Sequence, residues 1–192
     1  MKVTDQMKEI AKHLADLNGS RPRMSRFYDD NKESIIDIVI MDNKPNEYET
    51  TFATIGLSNY DIGYSVKDKP LRVEFIGACI DEYKLFGNVL STCAFNIINS
   101  GYSCSPGMIY PDVVKMYYPE FNMKHIMFVS PFLWAENLTP FDFEDKHVSW
   151  LQAMPISEAE YNYAEQNGSE ALENLFEESE VDILDLNRSS II

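Results

Sequence analysis

From Glu33 to Ala78 the apolar residues recur every second position, and this run constrains the fold more than any other feature of the chain. Ile35 to Met41 is apolar on both faces except at Asp37, as in a strand at the centre of a sheet. Tyr48, Thr50 and Phe52 alternate next. Tyr60, Ile62, Tyr64 and Val66 then alternate with Asp61, Gly63, Ser65 and Lys67, which predicts a strand with one wet face. Leu71 to Ala78 predicts a fourth strand after Pro70.

Helical periodicity flanks this run. Thr4 is placed to cap a helix to about Asn18, with Met7, Ile10, Ala11, Leu14 and Leu17 on one stripe and Gly19 as its stop. Arg21, Arg23 and Arg26 fall in the connection that follows. Asp81 opens a second predicted helix, with Tyr83, Phe86, Leu90, Cys93, Ala94 and Ile97 in phase until Gly101. The Pro- and Gly-punctuated stretch from Tyr102 to Pro119 reads as an ordered connection. Ile126–Phe132 and Val148–Met154 read as two more strands separated by an acidic loop. Ser157 and Glu160 form an S-x-x-E capping box, and the helix they open stops at Gly168. Ser169 is placed to cap a last helix, whose Ala171, Leu172, Leu175 and Phe176 make a narrow apolar stripe. Without repeats or a low-complexity linker, the simplest account is a single domain over residues 1–192. It is α+β, an α/β sandwich of helices packed on a mostly antiparallel, mixed sheet of about six strands.

Charge narrows the function. The 192 residues carry 16 Lys and Arg against 31 Asp and Glu, a formal charge of −15. Nucleic acids and anionic membranes are bound by basic faces that displace counterions, so neither is an expected partner. Residues 136–192 hold two of the bases and fourteen of the acids. No run of about 18 uncharged apolar residues is present, and Asp5 and Glu9 do not suit a signal peptide. Three cysteines, Cys79, Cys93 and Cys104, without CxxC spacing, suit a reducing compartment, and a cytoplasmic location is expected.

Catalytic and metal chemistry find little support. His13, His125 and His147 are far apart, with no HxxxH or HExxH, and only a folded encounter of Cys104 with His147 would offer a metal two good ligands. The same pair, with Asp145 as orienter, is the best candidate for a nucleophile and base. A turn cysteine in Ser-Cys-Ser-Pro-Gly is the preferred reading. No GxGxxG or GxxxxGK[ST] cradle occurs, so the chain is read as a non-enzyme with no cofactor and no metal.

The acidic last helix stands apart. Glu170, Glu173 and Glu177 share a face, where like charges cost about 0.2–0.5 kcal/mol per pair. Glu177, Glu178 and Glu180 crowd the C-terminal end, where the helix dipole disfavours each anion by a further ~0.3–1 kcal/mol. No Lys or Arg lies between Lys146 and Arg188 to relieve them. With Asp142, Glu144 and Asp145 of the preceding acidic loop, these five make a candidate surface for a basic partner. A solvated face is the bland alternative.

Two stretches carry a family resemblance. His147-Val148-Ser149-Trp150-Leu151-Gln152-Ala153-Met154-Pro155-Ile156-Ser157-Glu158-Ala159-Glu160-Tyr161 resembles the strand-then-capped-helix signature of suppressor of fused (SUFU) domains. So does the tail Val181-Asp182-Ile183-Leu184-Asp185-Leu186-Asn187-Arg188-Ser189-Ser190, although many relatives carry Pro where Ser189 stands. The intervening Ala171–Glu177 helix also fits. The resemblance implies a SUFU-like sandwich acting as a binding module without a catalytic centre. Bacterial single-domain members of this length resemble immunity proteins, or antitoxins, of polymorphic toxin systems. The implied partner is a cognate LXG-type toxin whose C-terminal domain is a nuclease, bound at the basic surface where it holds phosphates. A second reading is a non-toxin module that captures an extended peptide at a sheet edge, as in animal SUFU proteins. Within the motif, Trp150 is read as core and Arg188 as the partner of Asp182 or Asp185. Tyr161 and Tyr163 are read as interface anchors or half-buried helix residues.

Overall fold

Thr4 accepts the Met7 amide on its hydroxyl and so starts α1 (Asp5–Asn18), which Gly19 closes at φ 72°. The computed structural model of the chain describes residues 3–19, 21–134, 136–179 and 181–192. Met7, Ile10 and Leu14 form the buried stripe of α1, each contributing about 1.5–3 kcal/mol of transfer free energy.

Among the described residues nine strands form one sheet. They are β1 (Arg23–Tyr28), β2 (Ile35–Asp42), β3 (Glu49–Ile55), β4 (Ser65–Val66), β5 (Lys69–Ile80), β6 (Ile109–Tyr110), β7 (Met123–Val129), β8 (Phe141–Asp142) and β9 (His147–Ser157). The order is β1-β2-β3-β5-β9-β7-β6, with β4 added to β5 and β8 to β9. Among the described residues only β5 and β9 pair in parallel, so the sheet is mixed but mainly antiparallel. Among the described residues the helices after α1 are α2 (Phe86–Ser100), α3 (Glu158–Asn167) and α4 (Ser169–Glu178).

Strand parity sends neighbouring side chains to two cores. Ile36, Ile38, Phe52, Val73, Phe75, Phe128 and Leu151 meet α2 and the 102–121 connection on one face. On the other, Val39, Met41, Ile76, Val148 and Trp150 meet α1, while Met127, Val129, Met154 and Ile156 meet α3 and α4. Trp150 is core, as read from the sequence.

Several expectations change. The Arg23 and Arg26 segment is not a connection but the edge strand β1. Arg23 pairs with Asp42, and Arg26 makes two hydrogen bonds to Asp37, of 2.7 and 2.9 Å. That second pair also explains the one acid in the apolar β2. Residues 60–64 are not a strand, because Asp61 accepts the Gly63 amide and Gly63 takes φ 82°, which turns the chain. Only Ser65 and Val66 pair. Six strands of six or more residues therefore remain, but β1 replaces the one expected at 60–66. Helix α2 starts at Phe86, not Asp81, whose carboxylate instead accepts from the Thr50 hydroxyl. Ser169 does not cap α4. It is the first helical residue, and Gly168 at φ 91° supplies the turn between α3 and α4.

Candidate partner-binding surfaces

Helix α4 is held by its apolar stripe. Leu172 is fully buried against Met127, Met154 and their neighbours, and Phe176 lies under the Arg188 guanidinium, 5.2 Å from its centre. The opposite side carries the carboxylates. Glu170, Glu177 and Glu178 are exposed, and Glu173 is partly buried. Burial raises the Glu173 carboxyl above its ordinary value, with Glu177 and then Glu170 adding to the effect. The shared acidic face expected from spacing is present.

Asp142, Glu144 and Asp145 sit elsewhere, on the hairpin between β8 and β9. Asp142 accepts from the Lys69 ammonium at 2.7 Å, and that contact holds its carboxyl below the usual range. Asp145 accepts from the Gln6 amide at 2.6 Å. Glu144 is exposed. The hairpin joins the sheet where β5 and β9 begin, whereas α4 lies over β7 and the later half of β9. The predicted acidic set is thus two groups, and no hydrogen bond or ion pair joins them among the described residues. Glu180 lies outside the described residues.

The Cys104–His147–Asp145 grouping is not brought together. Cys104 is 1% exposed in the α2-side core, and burial pushes its thiol up to about 12, the opposite of an activated nucleophile. The His147 ring faces Asp142 at 3.7 Å, and Asp145 faces Gln6.

The Arg188 expectation is corrected as well. Its guanidinium meets not Asp182 or Asp185 but Glu160, at 2.6 and 2.9 Å, and also donates to the Pro155 carbonyl. Glu160 closes the capping box with Ser157 in the same place. Both side chains are buried. The tail is fixed there despite Ser189: Ile191 donates to Glu160, and the Ser157 and Ser190 hydroxyls meet at 2.8 Å. Tyr161 and Tyr163 are half-buried against the β7–β9 core.

One cluster escaped the sequence entirely. Asp112, His125 and Glu158 each offer a ligand atom within 4.8 Å of the others. Their hydrogen bonds argue against a cation. The Asp112 amide donates to His125 Nδ1 at 2.8 Å, so Nδ1 is bare and the ring proton lies on Nε2, facing Glu158 at 3.2 Å. Metal-bound imidazoles show the reverse, with the remote nitrogen donating to an oxygen. The arrangement ties three segments together through a neutral ring. Its members, one of the three histidines and two carboxylates far from it in sequence, make no local signal.

With this geometry in view, comparison with known proteins is specific. The family model for suppressor of fused protein (SUFU) matches residues 32–189. The Immunity protein YqcF of Bacillus subtilis (strain 168) is 46% identical over 192 residues, covering all of both chains. The crystal structure of a SUFU homologue from Neisseria gonorrhoeae superposes with a TM-score of 0.71 at 17% identity, over 98% of this chain and 97% of that one. Drosophila Suppressor of Fused gives 0.66 at 11% identity, over 95% of this chain and 50% of the larger one. The residues that the family model matches run from β2 to β9 and take in the Ser157–Glu160 box and the Arg188 lock, and the chain belongs to the suppressor of fused family.

Proposed function

We propose that the protein is an immunity protein that binds a cognate toxin and neutralises it. The observation that carries this reading is the 46% identity, end to end, with a protein named as an immunity protein. In the finer form of the proposal the toxin is of the LXG type, its C-terminal domain is a nuclease, and the complex forms in the cytoplasm. A nuclease holds phosphates with Lys and Arg, and a surface of carboxylates is complementary to that site. The chain's charge of −15 and the unrelieved acids of α4 support such docking. Because Asp142 is already paired with Lys69, the steering weight falls on Glu170, Glu173, Glu177 and Glu178, with Glu144, Asp145 and Glu180 as further contributors. The protein acts by occlusion, without catalysis, metal or cofactor. No helix among the described residues is long and apolar enough to cross a membrane.

Co-expression with the toxin encoded by the neighbouring gene is the test. Rescue of growth and co-purification in equal amounts are expected. A toxin that kills equally with and without this chain, and does not co-purify, overturns the proposal.

A further inference from the structure

After α4 the tail crosses one end of the sheet. Leu184 packs in the α1-side core and Leu186 in the α2-side core. The Leu184 carbonyl accepts the Ile80 amide at the end of β5, and the Leu186 carbonyl accepts the Met123 amide at the start of β7. Asn122 fastens the same corner, donating its amide to Asn187 Oδ1 and its Nδ2 to the Asn187 and Arg188 carbonyls. Beside this staple lies a cavity of about 340 Å³, lined by Glu82, Tyr83, Tyr118, Phe121 and Asn187.

Three of those five residues are aromatic. The Tyr118 and Phe121 rings stack with centroids 4.9 Å apart, and Tyr83 meets them edge to face at 6.0 and 5.2 Å. Both phenols are tied down: the Tyr83 hydroxyl donates to the Asp185 carboxylate, and the Tyr118 hydroxyl accepts the Leu85 amide. The rings are therefore in place before anything binds. The surroundings are negative. Glu82 and Asp182 are exposed and Asp185 is half-buried, and among the described residues no base forms an ion pair with any of them. The neighbouring bases are engaged elsewhere, since Lys84 lines a different cavity with Arg23, and Lys124 donates to the Pro119 carbonyl. Burial raises the Tyr83 pKa, and Asp185 and then Glu82 raise it further, as a negative field at the cavity requires.

Charge and ring chemistry together select an occupant. An anion would face the Glu82 carboxylate with no base beside it, and like charges at an interface are costly. A purely apolar group would strip water from Glu82 and return nothing. A basic side chain suits both parts of the lining: its stem lies along the rings, and its head meets the rings and the carboxylate. Arginine suits them better than lysine, because a guanidinium is planar, weakly hydrated and stacks on aromatic rings, as Arg188 does over Phe176 in this chain. We propose that the Tyr83–Tyr118–Phe121 cavity receives one arginine side chain of the toxin domain, paired with Glu82. This rests on the immunity reading and deepens it: the acids of α4 steer the encounter, and the cavity anchors the docked complex.

The experiment uses the full chain and the purified toxin domain encoded beside it. Dissociation rates are measured for wild type, Glu82→Gln and Phe121→Leu. Glu82 is exposed, so Glu82→Gln preserves the fold should Phe121→Leu not. Each substitution is expected to raise the dissociation rate about tenfold, the scale of a desolvated contact between a cation and a ring. The arginines of the toxin domain are then replaced by alanine one at a time. For one of them the loss of affinity should shrink in the Glu82→Gln background, which marks the contacting pair. Wild-type rates in both variants, or strictly additive losses for every arginine, overturn the cavity assignment alone. So does a response of one folded variant without the other, because an apolar occupant ignores Glu82 and a surface ion pair ignores Phe121. A wild-type chain that fails to bind the toxin overturns the immunity reading and the cavity with it.

Discussion

Arg188 and Glu160 form a buried two-point ion pair, with the side chains 4% and 0% exposed and 28 residues apart in sequence. The pair joins the C-terminal tail to the first turn of α3. Because Glu160 also closes the capping box and accepts the Ile191 amide, one carboxylate organises the helix start and the chain end together. Removing one partner strands the other charge in the core, which costs about 3–5 kcal/mol. Arg188→Ala is expected to lose stability in that range in urea unfolding. Arg188→Lys should rescue little, since an ammonium cannot reproduce the two-pronged contact or the stacking over Phe176.

Glu74 is the second buried carboxylate on which local structure depends. Its two oxygens accept from the Thr54 hydroxyl and from the amides of Gly56, Leu57 and Ser58, the start of a short 3-10 turn. Burial raises its pKa, and the Thr54 hydroxyl, Ser58 and the Gly56 amide pull it back. Glu74→Gln puts an NH₂ among donors, and each stranded amide costs about 1–3 kcal/mol. A loss of at least that size is expected by thermal unfolding. The change should be sensed at Lys146, which donates to the Ser58 carbonyl.

These two sites show where the sequence was legible. The S-x-x-E box, the apolar β2 and the stripe of α1 are local patterns, and each element forms where the pattern puts it. Pairings across the sheet are not local. Arg23 and Arg26 read as loop bases because their partners Asp42 and Asp37 belong to another strand. The alternation at 60–66 was broken by one Asp61–Gly63 turn. The same limit applies to the candidate site. Helical spacing put Glu170, Glu173 and Glu177 on one face, but only folding separates them from Asp142 and assigns Asp142 to Lys69. The gap between β7 and β8 along β9 depends on where those two strands end, and no residue within β9 announces it.

His125 predicts a pH dependence. Burial lowers its pKa from 6.5, against the opposing pull of Glu158 and then Asp112, while Lys115 adds to the lowering. The neutral ring is the native form, and the unfolded chain binds the proton more readily. Stability is therefore full above about pH 6.5 and is lost as pH falls toward the folded value. Protonating Nδ1 also sets two donors against each other at the Asp112 amide. Urea midpoints measured between pH 8 and pH 5 should fall on acidification. His125→Gln should flatten that slope while lowering stability at pH 8.

Glu173 links stability to recognition. Its titration is shifted upward by its own partial burial and then by Glu177 and Glu170, one turn to either side. Its raised pKa means that stability is greatest below the unfolded value near 4.5 and is lost as pH rises through the folded one. At neutral pH the helix thus holds a repulsion that Glu173→Gln removes. A gain of about 0.2–0.5 kcal/mol per relieved pair is expected in chemical unfolding at low salt, shrinking as salt is added. Reversing Glu173, Glu177 and Glu178 to Lys should go further and slow association with the toxin domain, flattening its salt dependence while leaving dissociation nearly unchanged. If the Gln variant is stabilised and the Lys variant associates at the wild-type rate, the repulsion is real but the acids do not steer. If both respond, the chain keeps a strained helix face because recognition uses it.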